Sequence, residues 1–387
     1  MKNIFAVAIM LVMFIGIGDL KAGDRNNFEW EMDDENGNEP FMLSYNRVEG
    51  FFFGFGVPKE FKNSFGMNNR LTFYGFWGYG LSNGKSSYRA GLTRKFFGSN
   101  SFELGAELFD LTYSEDLWVI PRKENSVTAL FFHEDYLDYY RKNGSSVYGI
   151  QNFGGFLKIE GGYVVEKHAD MSVEQVWSLF RQGEKFRENT QVAEGTFKNT
   201  YLIVRTGNSR FLRNWDAELQ AEWNSSLFED EMPNYERYII SLSRYQPLGR
   251  NDDLKIRLRY GTTNGSVPVQ KKFDLGGKGT LRGYKYKEFQ NGDKMALINV
   301  EYSTNGKNID GLGFLPNFDD YLISFFIDAG VVWSDRRDLP DLSDVNRNIG
   351  VGFGSKDEGF RVNFSKPLDG PEDERGIVMA IRFNKMF

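Results

Sequence analysis

"WDAELQAEWN", residues 215–224, sets Trp215, Ala217, Leu219, Ala221 and Trp223 at one parity and Asp216, Glu218, Gln220, Glu222 and Asn224 at the other. Side chains of a strand alternate between its two faces, so one face here is apolar and the other polar. Residues 255–260 repeat the pattern, with Ile256, Leu258 and Tyr260 opposing Lys255, Arg257 and Arg259. Alternation alone fits a soluble sheet as well as a membrane wall, and the number of segments separates the two. Comparable stretches lie near 45–56, 69–81, 86–96, 101–113, 145–153, 155–166, 197–207, 234–246, 294–303, 321–333, 348–355, 359–367 and 376–387. With the first two they make about fifteen strands and leave hardly any helix to cover them, which an up-and-down membrane barrel explains.

Barrels built from one bacterial chain have even strand numbers, so about 16 are expected. The missing strand is sought in 115–144, where "ENSVTALFFHEDYLDYYRKNG" supplies one through Ser126 to Phe132. The alternative is a short amphipathic helix beneath the barrel, with 145–166 a single strand and about fourteen in all. The fold class expected is all-β, a transmembrane antiparallel up-and-down β-barrel.

Of the 387 residues 16% are aromatic, 42 are glycine, 10 are proline and none is cysteine, a balance that suits strands joined by many turns. A net charge of -6 offers no basic excess for phosphates and argues against nucleic acid. Residues 1–22 carry Lys2, an apolar run from Ile4 to Ile17 and small residues near Ala22, the pattern of a secretory signal peptide rather than an anchor helix. Export without cysteine excludes disulfides and acylation at an N-terminal cysteine. Residues 23–40 are acidic and aperiodic and read as a short periplasmic leader, which leaves 41–387 for the barrel. The polar insert 168–196 reads as an extracellular loop with a helical turn.

Between two alternating stretches stands "FDLGGKGTLRGYKYKEF", residues 273–289, with no strand or helix period of its own. "LGGKGTLRGY", the following "FQNGDKMALINVEYS", "FFIDAGVVW" and the terminal "MAIRFNKMF" together resemble the superfamily of BamA, TamA and two-partner-secretion transporters, also called the bacterial surface antigen family. The matching blocks cover about the last 115 residues, and the early "YNRVEGFFFGFG" looks like the first strand of smaller members. The resemblance implies a loop folded back into the lumen, with Leu281, Arg282, Gly283 and Tyr284 as its motif. It further implies that Arg282 pairs with Glu301 and Asp328. Parity agrees, because the apolar sets of 296–302 and 323–333 leave both carboxylates facing the lumen. A planar guanidinium can serve two carboxylates at once, and Gly276, Gly277 and Gly283 let the backbone fold tightly against the wall. Ile381, Phe383 and Phe387 resemble the terminal-strand signal of outer-membrane precursors.

No nucleophile constellation adjoins His133 or His168, which read as solvated loop or rim residues, and "GGKGT" lacks the spacing of a phosphate loop. Asp135 and Asp138 fit no calcium loop. Neither an enzyme activity, a metal nor a cofactor is expected. Assembly members of the superfamily carry POTRA domains, periplasmic modules that receive substrate. Residues 23–40 leave no room for one, so the chain reads as a minimal, POTRA-less member. The expected function is insertion or export of outer-membrane or surface proteins, or of lipid, in the bacterial outer membrane. It would proceed through a seam between the strand near Tyr45 to Gly56 and the one ending at Phe387, with periplasmic or outer-membrane accessory proteins supplying recognition. The other reading is a passive pore or structural barrel in which Lys255, Arg257, Arg259, Glu218 and Glu222 set an ion preference. Partners follow from location: outer-membrane lipids, protein cargo and accessory proteins, with the oligomeric state open.

Overall fold

The computed structural model describes residues 40–57, 59, 71–96, 101–174, 177–180, 185–207, 214–224, 235–249, 252–305, 321–334, 340–355, 359–369 and 376–383. The signal peptide, most of the leader and Phe387 lie outside them. In chain order the strands are β1 (Phe41–Asn46), β2 (Gly50–Val57), β3 (Leu71–Gly80), β4 (Ser86–Phe96), β5 (Phe102–Tyr113) and β6 (Tyr140–Phe153). Next come β7 (Leu157–Ala169), β8 (Gly195–Gly207), β9 (Trp215–Asn224), β10 (Tyr235–Pro247), β11 (Asp252–Gly265), β12 (Phe273–Leu275) and β13 (Phe289–Gly292). The last are β14 (Lys294–Asn305), β15 (Tyr321–Trp333), β16 (Asn346–Ser355), β17 (Arg361–Pro367) and β18 (Val378–Arg382). Leaving aside β12 and β13, which pair with each other, they form one 16-stranded antiparallel sheet in sequence order, the up-and-down barrel expected from the alternation.

The sixteenth strand comes from an unexpected place. Residues 45–56, expected as one strand, form the hairpin β1–β2. Asn46 breaks the strand, because its Oδ1 accepts from the backbone N–H of Val48 at 2.9 Å and of Glu49 at 2.7 Å, a side-chain-built turn. The strand sought at Ser126 to Phe132 is instead helix α1 (Arg122–Phe132). Since β5 and β6 already pair directly, Tyr113 opposite Tyr140, the wall has no position for a strand between them. Nor do 145–166 form one strand: the chain reverses at Gly154 and Gly155, both at positive φ, between β6 and β7.

Parity divides the wall as the sequence suggested. Phe55, Phe73, Leu108, Val147, Phe325, Ile327 and Met379 are exposed on the outward face, the surface a barrel shows to lipid. Glu218, Arg257, Arg259, Asn299, Glu301 and Asp328 are buried on the inward face. Alternate connections of an up-and-down sheet share an end, which places 47–49, 114–139, 170–194 and 266–293 together. There α1 lies among the insertions at that end. The described residues of 170–194 contain no helical turn. Val48, Ile120, Leu137, Tyr139 and Met171 form a buried apolar cluster that ties three of these connections into one cap.

Candidate functional site

The connection 266–293 folds inward on the ribbon β12–β13, whose Phe273 and Leu275 pack with Leu281, Tyr284, Met295 and Leu297. Its tip is wound on itself: Gly277 N–H donates to Leu281 O at 3.1 Å, Gly276 N–H to Thr280 Oγ1 at 2.9 Å and Tyr284 N–H to Leu281 O at 3.0 Å. Gly276 and Gly277 have φ of +124° and +93°, where a side chain is strained. A Cβ on Gly283 would lie 2.7 Å from Asn348 Cβ, so the tip touches the β16 wall closely.

Arg282 is 1% exposed and meets both carboxylates. Nε and Nη2 donate to Asp328 Oδ2 and Oδ1 at 2.9 and 2.7 Å, Nη1 donates to Glu301 Oε2 at 2.6 Å, and the backbone N–H reaches Asp328 Oδ2 at 3.2 Å. Its guanidinium lies 3.6 Å from the Phe326 ring centroid. Burial works against the charge, and Asp328 followed by Glu301 outweighs burial, so the guanidinium is held above its ordinary range. Tyr284 closes the motif by donating from its hydroxyl to Arg347 O at 3.0 Å.

Three partners went unnamed in the sequence. Arg361 Nη1 donates to the second oxygen of Glu301 at 2.5 Å, and Asn299 and Asn348 donate from Nδ2 to Asp328 at 2.7 and 2.8 Å. The signal was present, since each is a polar residue on the inward parity of its strand. A second ion cluster holds the cap: Lys287 Nζ lies 2.8, 2.9 and 3.1 Å from Asp116, Asp138 and Asp274. Asp138 also pairs with Arg47 at 2.9 Å and with Arg187. Burial raises the Asp138 carboxyl while Lys287, Arg187 and Arg47 lower it, and the cations prevail.

Of the two histidines, His168 is not solvated, whereas His133 is half-buried in the loop that follows α1. His168 is fully buried between Tyr140 and Phe197, with Nε2 2.9 Å from Glu166 Oε1 and Nδ1 3.0 Å from Gln270 Nε2. Its inward parity, shared with Glu166, was the missed sign. His133 stacks on Phe186 at 3.8 Å and meets Ser178 Oγ at 3.0 Å. Asp135 and Asp138 pair with the Arg47 guanidinium, and no group of three or more potential metal ligands occurs among the described residues. At the terminal strand, Ile381 lies in β18 and Phe383 packs on Phe360 at 5.7 Å.

The Omp85 superfamily domain matches residues 63–361. The chain belongs to the Omp85 superfamily. A curated relative, the outer membrane protein assembly factor BamA of Nitratidesulfovibrio vulgaris, is 31% identical over 112 residues, 25% of this chain and 14% of that protein. This Omp85 chain therefore matches about one seventh of that relative's length. Among solved structures, BamA from Haemophilus ducreyi lacking POTRA domains 1-3 shares the fold at TM-score 0.53 and 16% identity, over 88% of this chain and 69% of that one. CdiB from Acinetobacter baumannii aligns at TM-score 0.44 and 12% identity over 88% of this chain and 58% of that one. Membership of the Omp85 superfamily places the barrel in the bacterial outer membrane.

Proposed function

We propose that this Omp85 barrel aids insertion or export of outer-membrane or surface proteins, or of lipid, by opening the seam between β1 and β18. Substrate recognition on the periplasmic side is assigned to partner proteins. The observation that carries the reading is the brevity of the two edge strands: β1 has 6 residues and β18 has 5, whereas β5 has 12 and β6 has 14. Short edges carry few ladder bonds, so the wall parts there at the least cost. No backbone register joins β1 to β18 among the described residues. In this reading Arg282, Glu301 and Asp328 are positioning residues that keep the lumen loop braced on β14 and β15 while the seam moves.

The refined seam differs from the one expected, since its first edge is Phe41–Asn46 alone. The lumen charges offered for a passive pore are engaged by protein groups. Arg257 donates to Asn299, Arg259 to Ser241, and Glu218 and Glu222 accept from Arg205 and Lys271. The test is depletion in the native cell with quantitation of outer-membrane proteins and lipids. Selective loss of a few surface components supports assembly or export. An unchanged membrane, with stable single-channel conductance from the purified barrel, overturns it in favour of a passive pore.

A further inference from the structure

Both edges of the wall end on one turn of α1. Arg382 Nε, from β18, donates to Glu124 Oε1 at 2.8 Å, and both side chains are buried. Two residues on, Ser126 Oγ accepts the backbone N–H of Tyr45, from β1, at 3.1 Å while donating to Arg122 O at 2.8 Å.

These contacts lie on opposite sides of the wall. Arg382 faces inward: it shares parity with buried Ala380, opposes exposed Met379, and donates from Nη1 to Lys278 O of the lumen loop at 2.8 Å. Tyr45 faces outward. It shares parity with exposed Phe41, while Met42, at the other parity, packs inside with Phe52, Phe76 and Phe109. Tyr45 is nevertheless fully buried, because Ala129 and Leu130 of α1 pack over it together with Phe186. The helix thus begins against the lumen side of β18 and ends over the outer side of β1. It crosses the wall in the seam.

The Tyr45 N–H is moreover an edge group. The bond from Gly56 N–H to Pro40 O makes the even-numbered residues of β1 those that bond to β2, so the N–H of Tyr45 points toward the seam. Ser126 Oγ stands where a neighbouring strand's carbonyl would. At the hairpin tip the Arg47 N–H donates to Asp135 Oδ2 at 2.9 Å, and Arg47 O accepts from Glu174 N–H at 3.2 Å.

We propose that α1 is a wedge seated in the seam, and that it must withdraw before the β1 edge can receive an extended chain segment. The proposal rests on the seam reading above and adds its control: wedge and incoming strand compete for the backbone N–H of Tyr45. Side-chain contacts and the cluster around Tyr45 join the wedge to the two edges, with no strand ladder to either, and backbone bonds from Leu179 N–H to Leu130 O at 2.8 Å and Phe180 N–H to Phe131 O at 3.3 Å tie it to 177–180. Its withdrawal parts the cap contacts of Arg47 and Lys287 with Asp116, Asp135 and Asp138 and leaves the β5–β6 ladder intact.

The chain has no cysteine, so thiols can be placed at will. Ala129→Cys and Phe51→Cys, both at the outer cluster around Tyr45, are joined after folding in lipid by a short bifunctional reagent with a cleavable disulfide. Hydrogen exchange at Phe41–Asn46 is read before linking, after linking and after cleavage. Linking should slow exchange at Tyr45 and cleavage should restore it. Independently, Glu124→Gln without any linker should speed that exchange about tenfold, the equivalent of ~1.4 kcal/mol. Equal exchange in linked and cleaved protein, with Glu124→Gln indistinguishable from the parent, would show a fixed plug and overturn the wedge. An unchanged outer-membrane proteome on depletion would remove the assembly role and leave these exchange results standing, so the two failures are told apart.

Discussion

Arg282 and Asp328 meet through two parallel hydrogen bonds, Nε to Oδ2 at 2.9 Å and Nη2 to Oδ1 at 2.7 Å, between a loop tip and the middle of strand β15. The two residues stand 46 positions apart in the chain. Nothing local holds them together, so the pair fixes where the loop sits.

Removing one member of a buried pair leaves the other charge unmatched. Arg282→Ala is therefore expected to destabilise the folded barrel by ~3–5 kcal/mol, and Arg282→Lys to recover only part of this because an ammonium lacks the planar fork. The midpoint of the heat-induced mobility shift of the purified barrel on a detergent gel reads the effect. A midpoint equal to the parent's would remove Arg282 as the brace.

Glu301 divides its oxygens between two arginines, Oε2 to Arg282 on the loop and Oε1 to Arg361 on β17. Residues sharing one partner do not act independently. In a double-mutant cycle, Arg282→Ala and Arg361→Met should show a coupling energy of about 1 kcal/mol or more. Strict additivity would mean that loop and β17 are held separately.

Backbone geometry gives a cleaner contrast. At Gly276, with φ of +124°, an added Cβ would stand 2.3 Å from Lys285 O, whereas at Gly376 nothing lies within 4 Å. Gly276→Ala should cost about 1–3 kcal/mol by the same gel assay and Gly376→Ala close to none. Equal effects would show that the tip adjusts freely.

The wall was legible because period-two alternation is a local property, and segments such as Trp215 to Asn224 display it within ten residues. The hairpin at Asn46 was missed because aromatic residues continue across the break from Tyr45 to Phe51, and the signal lay in one side chain that builds the turn. The choice between strand and helix at α1 stayed open because Val127, Thr128 and Phe131 favour strands in isolation. Its state is set by the direct pairing of β5 with β6, which no window of sequence displays. At the loop, the resemblance named Arg282 and its two carboxylates. Parity placed those carboxylates inside, while the bonds to Asn299, Asn348 and Arg361 needed the register of three further strands. The cap network on Lys287 joins residues from four connections, and no spacing along the chain encodes such a convergence.

Lys278 gives a test that depends on pH. It lies in the lumen loop, buried, with Nζ 4.2 Å from the Tyr136 ring centroid, and Arg382 bonds its carbonyl. Burial pushes the ammonium down to about 8 from the ordinary 10.5, with Glu124 opposing the shift and Arg382 adding to it. The folded protein thus prefers the neutral amine, and below the folded value the charge costs stability in full. As pH rises from about 8 to about 10.5 the unfolded chain still binds the proton that the folded chain has lost, so stability rises across that window. Lys278→Met should abolish this rise and be the more stable protein near neutral pH, because an apolar side chain has no charge to desolvate. Comparing mobility-shift midpoints of parent and variant at about pH 7.5 and about pH 10 measures both effects. An identical pH dependence in the two proteins would show that the ammonium keeps its ordinary range inside the barrel.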